Sequence, residues 1–131
     1  MKCLIIDDDG FSREFVATLL GDDAESHQAA SGSEGVAQFT TALESEAPFD
    51  LIILDIMMPD MNGHETAKAI RTLEKAHKPA KKVHIVMLTA LNSPNDAFES
   101  LCNAQSAAYL VKPISKQNLF NVVSKLGLLR K

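Results

Sequence analysis

Short unbroken apolar runs alternate along this chain with longer stretches whose apolar residues recur every three or four positions. The runs are Leu4 to Ile6, Leu51 to Leu54, Ile85 to Leu88 and Ala107 to Val111, with a weaker one around His27 to Ala30. Runs without polar alternation suit strands buried on both faces, and strands alternating with amphipathic helices predict a parallel sheet covered on both sides. Ser12 can cap a first helix with Phe15, Val16, Leu19 and Leu20 on one face, ending near Gly21. Ser31 and Glu34 have capping-box spacing before Val36, Phe39 and Leu43, and that helix should stop before Pro48. The third strand reads as Asp50 to Leu54. After a loop with Pro59, Asn62 and Gly63, a third helix is expected to turn Ala67, Ile70 and Leu73 inward and Arg71, Glu74 and Lys75 outward. The fourth strand spans Val83 to Leu88, and Ser93 with Pro94 opens a fourth helix through Phe98 and Leu101. A fifth strand runs to Val111, and Ser115 starts a closing fifth helix with Leu119, Phe120, Val123 and Leu126 inward until Gly127.

Four of these runs end on residues that can do chemistry: Asp7, Asp8 and Asp9 after the first, then Asp55, Thr89 and Lys112. In a parallel sheet all four ends share one edge, which is where open α/β sheets bind ligands. Asp7, Asp8 and Asp55 then make an oxygen site of the kind that holds Mg2+ with several waters retained. Phosphoryl oxygens would complete such a site, with Lys112 as a point charge and the Thr89 hydroxyl donating one hydrogen bond. Asp55 stands alone at the end of the central apolar strand, so it is the best candidate for a carboxylate nucleophile that forms an acyl phosphate.

Composition narrows the class. A length of 131 residues fits one domain, 1–131, with its own core and no output domain, and 46% hydrophobic with 23% charged residues excludes disordered and collagen-like chains. No apolar run approaches the ~20 residues of a membrane span, and the start of the chain lacks the pattern of a signal peptide, so a cytoplasmic protein with no membrane partner is expected. A formal net charge of -4 works against a nucleic-acid partner. The cluster of Lys75, Lys78, Lys81 and Lys82 reads as a solvated connector, and Cys3 and Cys102 as reduced structural thiols. Asp9 and Asp60 read as exposed loop carboxylates, His64 as a surface residue, and Met58 and Met61 as loop packing.

Taken in order, Leu4-Ile5-Ile6-Asp7-Asp8, Leu54-Asp55-Ile56-Met57-Met58-Pro59-Asp60-Met61-Asn62-Gly63, Thr89-Ala90 and Tyr109-Leu110-Val111-Lys112-Pro113 resemble the receiver domains of two-component response regulators, over essentially the whole chain. The resemblance implies a flavodoxin-like, doubly wound five-stranded parallel sheet of order 2-1-3-4-5 with five helices. It further implies that Asp55 accepts a phosphoryl group from a histidine on a sensor histidine kinase or histidine phosphotransfer protein. Asp7, Asp8, Asp55 and the backbone carbonyl of Met57 would hold Mg2+, while Ala90 and Lys112 would line the phosphoryl site. Thr89 and Tyr109 would act as switch residues, the hydroxyl moving toward the phosphoryl group and the ring turning inward to repack the face of the fourth helix, fifth strand and fifth helix. That face, around Ala97, Leu101, Ala104, Tyr109 and Lys116, would bind a downstream protein target and is a possible homodimer surface. The bond before Pro113 is expected to be cis. Met57 and Leu91 would flank the path of the hydrolytic water, and since both are apolar, self-dephosphorylation should be slow.

Two other functions fit parts of the pattern. Asp7-Asp8-Asp9-Gly10 also matches the start of a haloacid dehalogenase-like phosphatase, with Asp7 as nucleophile and Asp9 as general acid. The chain is short for that fold, no later acidic pair for magnesium is apparent, and Asp55 would have no role. A receiver-like scaffold that is never phosphorylated is weakened by the presence of every carboxylate and of Lys112.

Overall fold

The computed structural model describes residues 1–59, 61–89 and 108–128. Five parallel strands, β1 (Lys2–Ile6), β2 (Glu25–Ala29), β3 (Leu51–Asp55), β4 (His84–Thr89) and β5 (Ala108–Val111), form one sheet in the order β2-β1-β3-β4-β5. The helices among the described residues are α1 (Gly10–Leu20), α2 (Gly32–Glu44), α3 (Gly63–His77) and α4 (Lys116–Lys125). This is the doubly wound, flavodoxin-like order. The helix expected from Ser93 through Leu101 lies outside the described residues, as do Asp60, Ala90, Leu91, Ala97, Cys102 and Ala104.

The two-residue period of the strands divides the core. Leu4 and Ile6 of β1, Ile52 and Leu54 of β3, and Ile85 and Met87 of β4 pack on one face with Phe39 of α2 and Ala67 and Ile70 of α3. Cys3, Ile5, Leu51, Ile53, Val86, Leu88 and Leu110 pack on the other with Val16 and Leu20 of α1 and Leu119 and Val123 of α4. All five residues of β3 are buried, as a central strand requires, and each full-sized apolar side chain so buried contributes roughly 2 kcal/mol. Burial also pushes the Cys3 thiol well above its usual range, so it stays protonated and inert.

Several expectations hold in detail. Ser31 accepts a hydrogen bond from Glu34 N and caps α2, Ser115 accepts one from Asn118 N and caps α4, and Gly21 follows the last residue of α1. Others need correction. The first helix begins at Gly10, with Asp9 and not Ser12 as its cap, because the Asp9 carboxylate accepts from both Phe11 N and Ser12 Oγ. Phe15 is 41% exposed, since Val16 and Leu20 already fill the contact with the sheet, leaving Phe11 and Phe15 as a second stripe one turn apart. Glu74 points inward and is buried: its carboxylate accepts from Val83 N at 2.6 Å and Arg71 Nη1 at 2.6 Å, closing α3 onto the start of β4. On α4, Val122 takes the inward place expected of Phe120, whose ring instead lies under Lys116 Nζ at 5.5 Å. His64, in the first turn of α3, is half-buried and not a surface residue.

The third helix is brought unusually close to the strand that precedes it. Asn62 and Glu65 form a reciprocal capping box, and Gly63 N donates to Ile56 O at 2.9 Å. A Cβ at Gly63 would meet Asp55 O at 2.7 Å and the Ile56 Cα at 2.8 Å, so this position must be glycine for the helix to seat behind Asp55.

Candidate functional site

Register brings the carboxylates together. β1 and β3 pair with Ile6 opposite Leu54, and one step further Asp7 and Asp55 leave adjacent strands on the same face. Neighbouring strands are about 4.8 Å apart, so two carboxylates extending from that step are close neighbours. Asp8 follows in the turn toward α1, and one oxygen from each of Asp7, Asp8 and Asp55 lies within 4.8 Å of the others. Asp7 and Asp55 are buried while Asp8 is exposed, which leaves the cluster open to solvent on one side.

Lys112 is carried to the same place by β5. Its Nζ lies 3.3 Å from Asp7 Oδ2 and 3.3 Å from Asp55 Oδ1, and its backbone N donates to Thr89 O at 2.8 Å. The Lys112–Pro113 bond is cis. Asp7 is anchored three further ways: its N donates to Ala29 O, its Oδ1 accepts from Asp9 N at 2.9 Å, and its carbonyl accepts from Arg13 Nη1 at 2.8 Å. These bonds leave the Asp7 carboxylate little freedom to turn.

The electrostatics are those of a site short of positive charge. Burial, followed by the charge of Asp7, pushes the Asp55 carboxyl up to about 6, against the smaller opposing pull of Lys112. Burial works against the Lys112 ammonium too, but Asp55 and Asp7 outweigh it and hold its pKa above the ordinary value. One lysine therefore does not neutralise three clustered carboxylates. A small divalent cation fits the donor set, because an octahedron with bonds of about 2.1 Å spans about 4.2 Å between opposite ligands, close to the size of this triangle. Asp7, Asp8 and Asp55 are the residues that could hold it.

Of the remaining expected site residues, Thr89, Tyr109 and Met57 lie among the described residues. Thr89 is buried at the end of β4, while Tyr109 on β5 is 40% exposed. Pairing of Met87 with Tyr109 and of Thr89 with Val111 puts Thr89 and Tyr109 on one face of the sheet. The Met57 side chain is 64% exposed beside Asp55. Arg13 and the Phe11, Phe15 pair were not singled out from the sequence. The signal for the second was available, since Phe11 and Phe15 are four residues apart on a helix whose other apolar stripe is complete. Together with Val16, Pro113 and Ile114 they line an apolar groove of about 510 Å3 that reaches Lys112.

Comparison with known proteins agrees with this geometry. Residues 3–124 match the family model of the response regulator receiver domain. The sensor protein GacS of Pseudomonas syringae pv. syringae is 36% identical over 124 residues, which cover 95% of this chain but only 13% of that protein. Among solved structures, the chemotaxis protein CheY4 of Vibrio cholerae is 34% identical with a TM-score of 0.77, covering 95% of this chain and 96% of that one. The receiver domain of the Arabidopsis thaliana histidine kinase CKI1, solved in complex with Mg2+ and BeF3-, is 28% identical with a TM-score of 0.82, covering 96% and 89%. No helix among the described residues is long and apolar enough to cross a membrane. With the strand order, the acidic cluster and the family match in agreement, the chain belongs to the response regulator receiver domains of two-component signalling.

Proposed function

We propose that this domain accepts a phosphoryl group on Asp55 from a phosphorylated histidine, with Mg2+ held by Asp7, Asp8, Asp55 and the Met57 carbonyl. The observation that carries this reading is Lys112 Nζ at 3.3 Å from both Asp7 and Asp55, beside a carboxylate triangle with excess negative charge. When bound, the metal neutralises negative charge that gathers on the phosphoryl oxygens during transfer. An Asp55 carboxylate oxygen attacks phosphorus, the bond from phosphorus to the donor's imidazole nitrogen breaks, and that nitrogen takes up a proton from solvent. Lys112 pairs with the phosphoryl oxygens, and Asp7, fixed by Asp9 N and Arg13, does not compete as nucleophile.

The product is an acyl phosphate whose new oxygens draw the Thr89 hydroxyl and, through the space it vacates, the Tyr109 ring. Output is then a changed surface, read by a downstream protein target or passed on as phosphoryl transfer, and the same Tyr109 face is where two copies would pair. The donor must cover the mouth of the site to reach Asp55, and the apolar groove beside Lys112 offers it a dry surface. In this reading the domain is a phospho-acceptor that catalyses its own modification, and Asp55 has the central role that a dehalogenase-like scheme would deny it.

The direct test is incubation with Mg2+ and acetyl phosphate, followed by intact mass, beside Asp55→Asn and Asp7→Asn. One added phosphoryl group in the wild type and none in Asp55→Asn is expected. Labelling retained in Asp55→Asn and lost in Asp7→Asn would favour the phosphatase scheme. No labelling from either acetyl phosphate or a phosphohistidine donor would leave a constitutive binding module.

A further inference from the structure

We propose that Arg13 is a positioning residue for the metal site, acting on Asp7 through its main chain. The inference rests on the reading of Asp7, Asp8 and Asp55 as a Mg2+ site. β1 ends at Ile6, so the Asp7 carbonyl lies beyond the last paired residue of its strand, in a residue that is 1% exposed. Arg13 Nη1 donates to that carbonyl at 2.8 Å, and Arg13 Nε donates to the side-chain oxygen of Gln28 at 3.1 Å. The Gln28 side chain is held in turn by its Nε2, which donates to Glu14 Oε2 at 2.7 Å, while its main-chain carbonyl accepts from Gln38 Nε2 at 2.9 Å. A Cβ at Gly10 would come 3.3 Å from Arg13 Nη2, so the side chain folds back across the turn that carries Asp8. The planar guanidinium, with donors in a fixed fork, thus ties the Asp7 to Gly10 turn to the edge strand β2.

The two donors go to a main-chain carbonyl and a neutral amide, not to the carboxylates themselves. Arg13 therefore shapes the turn without occupying a carboxylate oxygen that a cation needs. Its charge and its bracing act in opposite directions. A cation near three carboxylates repels Mg2+, so by charge alone its removal would tighten metal binding. As a brace its removal loosens Asp7 and Asp8 and weakens binding. Bonds one layer out from a metal ligand commonly affect affinity about 10-fold or more.

The experiment is calorimetric titration of the full chain with MgCl2, comparing wild type, Arg13→Met, Arg13→Lys and Gln28→Leu. Metal-free circular dichroism and urea unfolding are recorded alongside. The expected result is Mg2+ affinity lower by about 10-fold in Arg13→Met, partly restored in Arg13→Lys, and lower by a smaller factor in Gln28→Leu, which leaves the bond to Asp7 but removes its anchor. Equal or tighter binding by a folded Arg13→Met overturns the inference. If Arg13→Met does not fold, unchanged affinity in both Gln28→Leu and Arg13→Lys overturns it. A wild type that takes up no Mg2+ overturns the metal-site reading, and this inference with it.

Discussion

Replacing Asp55 with Asn should stabilise the metal-free protein at neutral pH, although it removes the proposed phosphoryl acceptor. In the folded protein the Asp55 carboxyl is raised from 3.8 to about 6, by burial first and by Asp7 second. For a group whose folded pKa is raised, the associated stability is intact below the unfolded value, near pH 4, and is lost as pH climbs through about 6. A shift of that size corresponds to about 3 kcal/mol at 1.36 kcal/mol per pKa unit. The Asp55 side chain is only 8% exposed, but Lys112 is 32% exposed and Asp8 opens the cluster to water, so screening reduces the expected figure to about 1.5 kcal/mol. Asparagine keeps the shape and removes the charge, while Lys112 keeps Asp7 as a partner at 3.3 Å. Urea unfolding with a chelator present, at pH 4 and pH 8, measures the effect. Asp55→Asn should gain on the wild type by about 1.5 kcal/mol more at pH 8 than near pH 4, with most of that change between pH 4 and pH 6, the interval between the unfolded and folded values. Saturating Mg2+ should reverse the order, since a ligand at 100 times its Kd adds about 2.7 kcal/mol to whichever protein binds it. A variant that is no more stable than wild type at pH 8, or an equal response of both proteins to Mg2+, would refute the electrostatic account of this pocket.

Other consequences can be measured independently. Glu74→Ala strands the buried Val83 N and breaks the ion pair with Arg71, so it should cost about 3 kcal/mol in urea unfolding, and a loss below about 0.5 kcal/mol would mean the carboxylate is not the clasp described. The apolar Met57 has no group to orient a water at Asp55, so the phosphorylated protein should persist; Met57→Asn, supplying a hydrogen bond worth about 1 kcal/mol, should speed its decay about fivefold, and equal decay rates would remove the idea. Phe11→Ser with Phe15→Ser should slow transfer from a phosphohistidine protein at least several-fold while leaving labelling by acetyl phosphate unchanged. An equal effect on both donors would show that the groove serves the fold and not the partner.

What the sequence alone determined is what local pattern can carry. Apolar runs such as Leu51 to Leu54 announce a buried parallel strand because both faces must be covered, and the caps at Ser31 and Ser115 are legible because a side-chain oxygen must satisfy amides a few residues on. Parallel strands then commit Asp7, Asp55, Thr89 and Lys112 to one edge, so the members of the site follow from where four runs end. Only the tertiary structure decided how they meet: the register of Ile6 with Leu54 makes Asp7 and Asp55 neighbours, and the pairing of β4 with β5 delivers Lys112 to both. The inward turn of Glu74, the exposure of Phe15 and the reach of Arg13 to the Asp7 carbonyl were equally out of view. Each depends on a partner distant along the chain or on which of two apolar stripes reaches the sheet first. Periodicity ranks the residues of one helix against each other but says nothing about the Val83 amide just before β4, whose hydrogen bond makes a buried Glu74 carboxylate worth its desolvation.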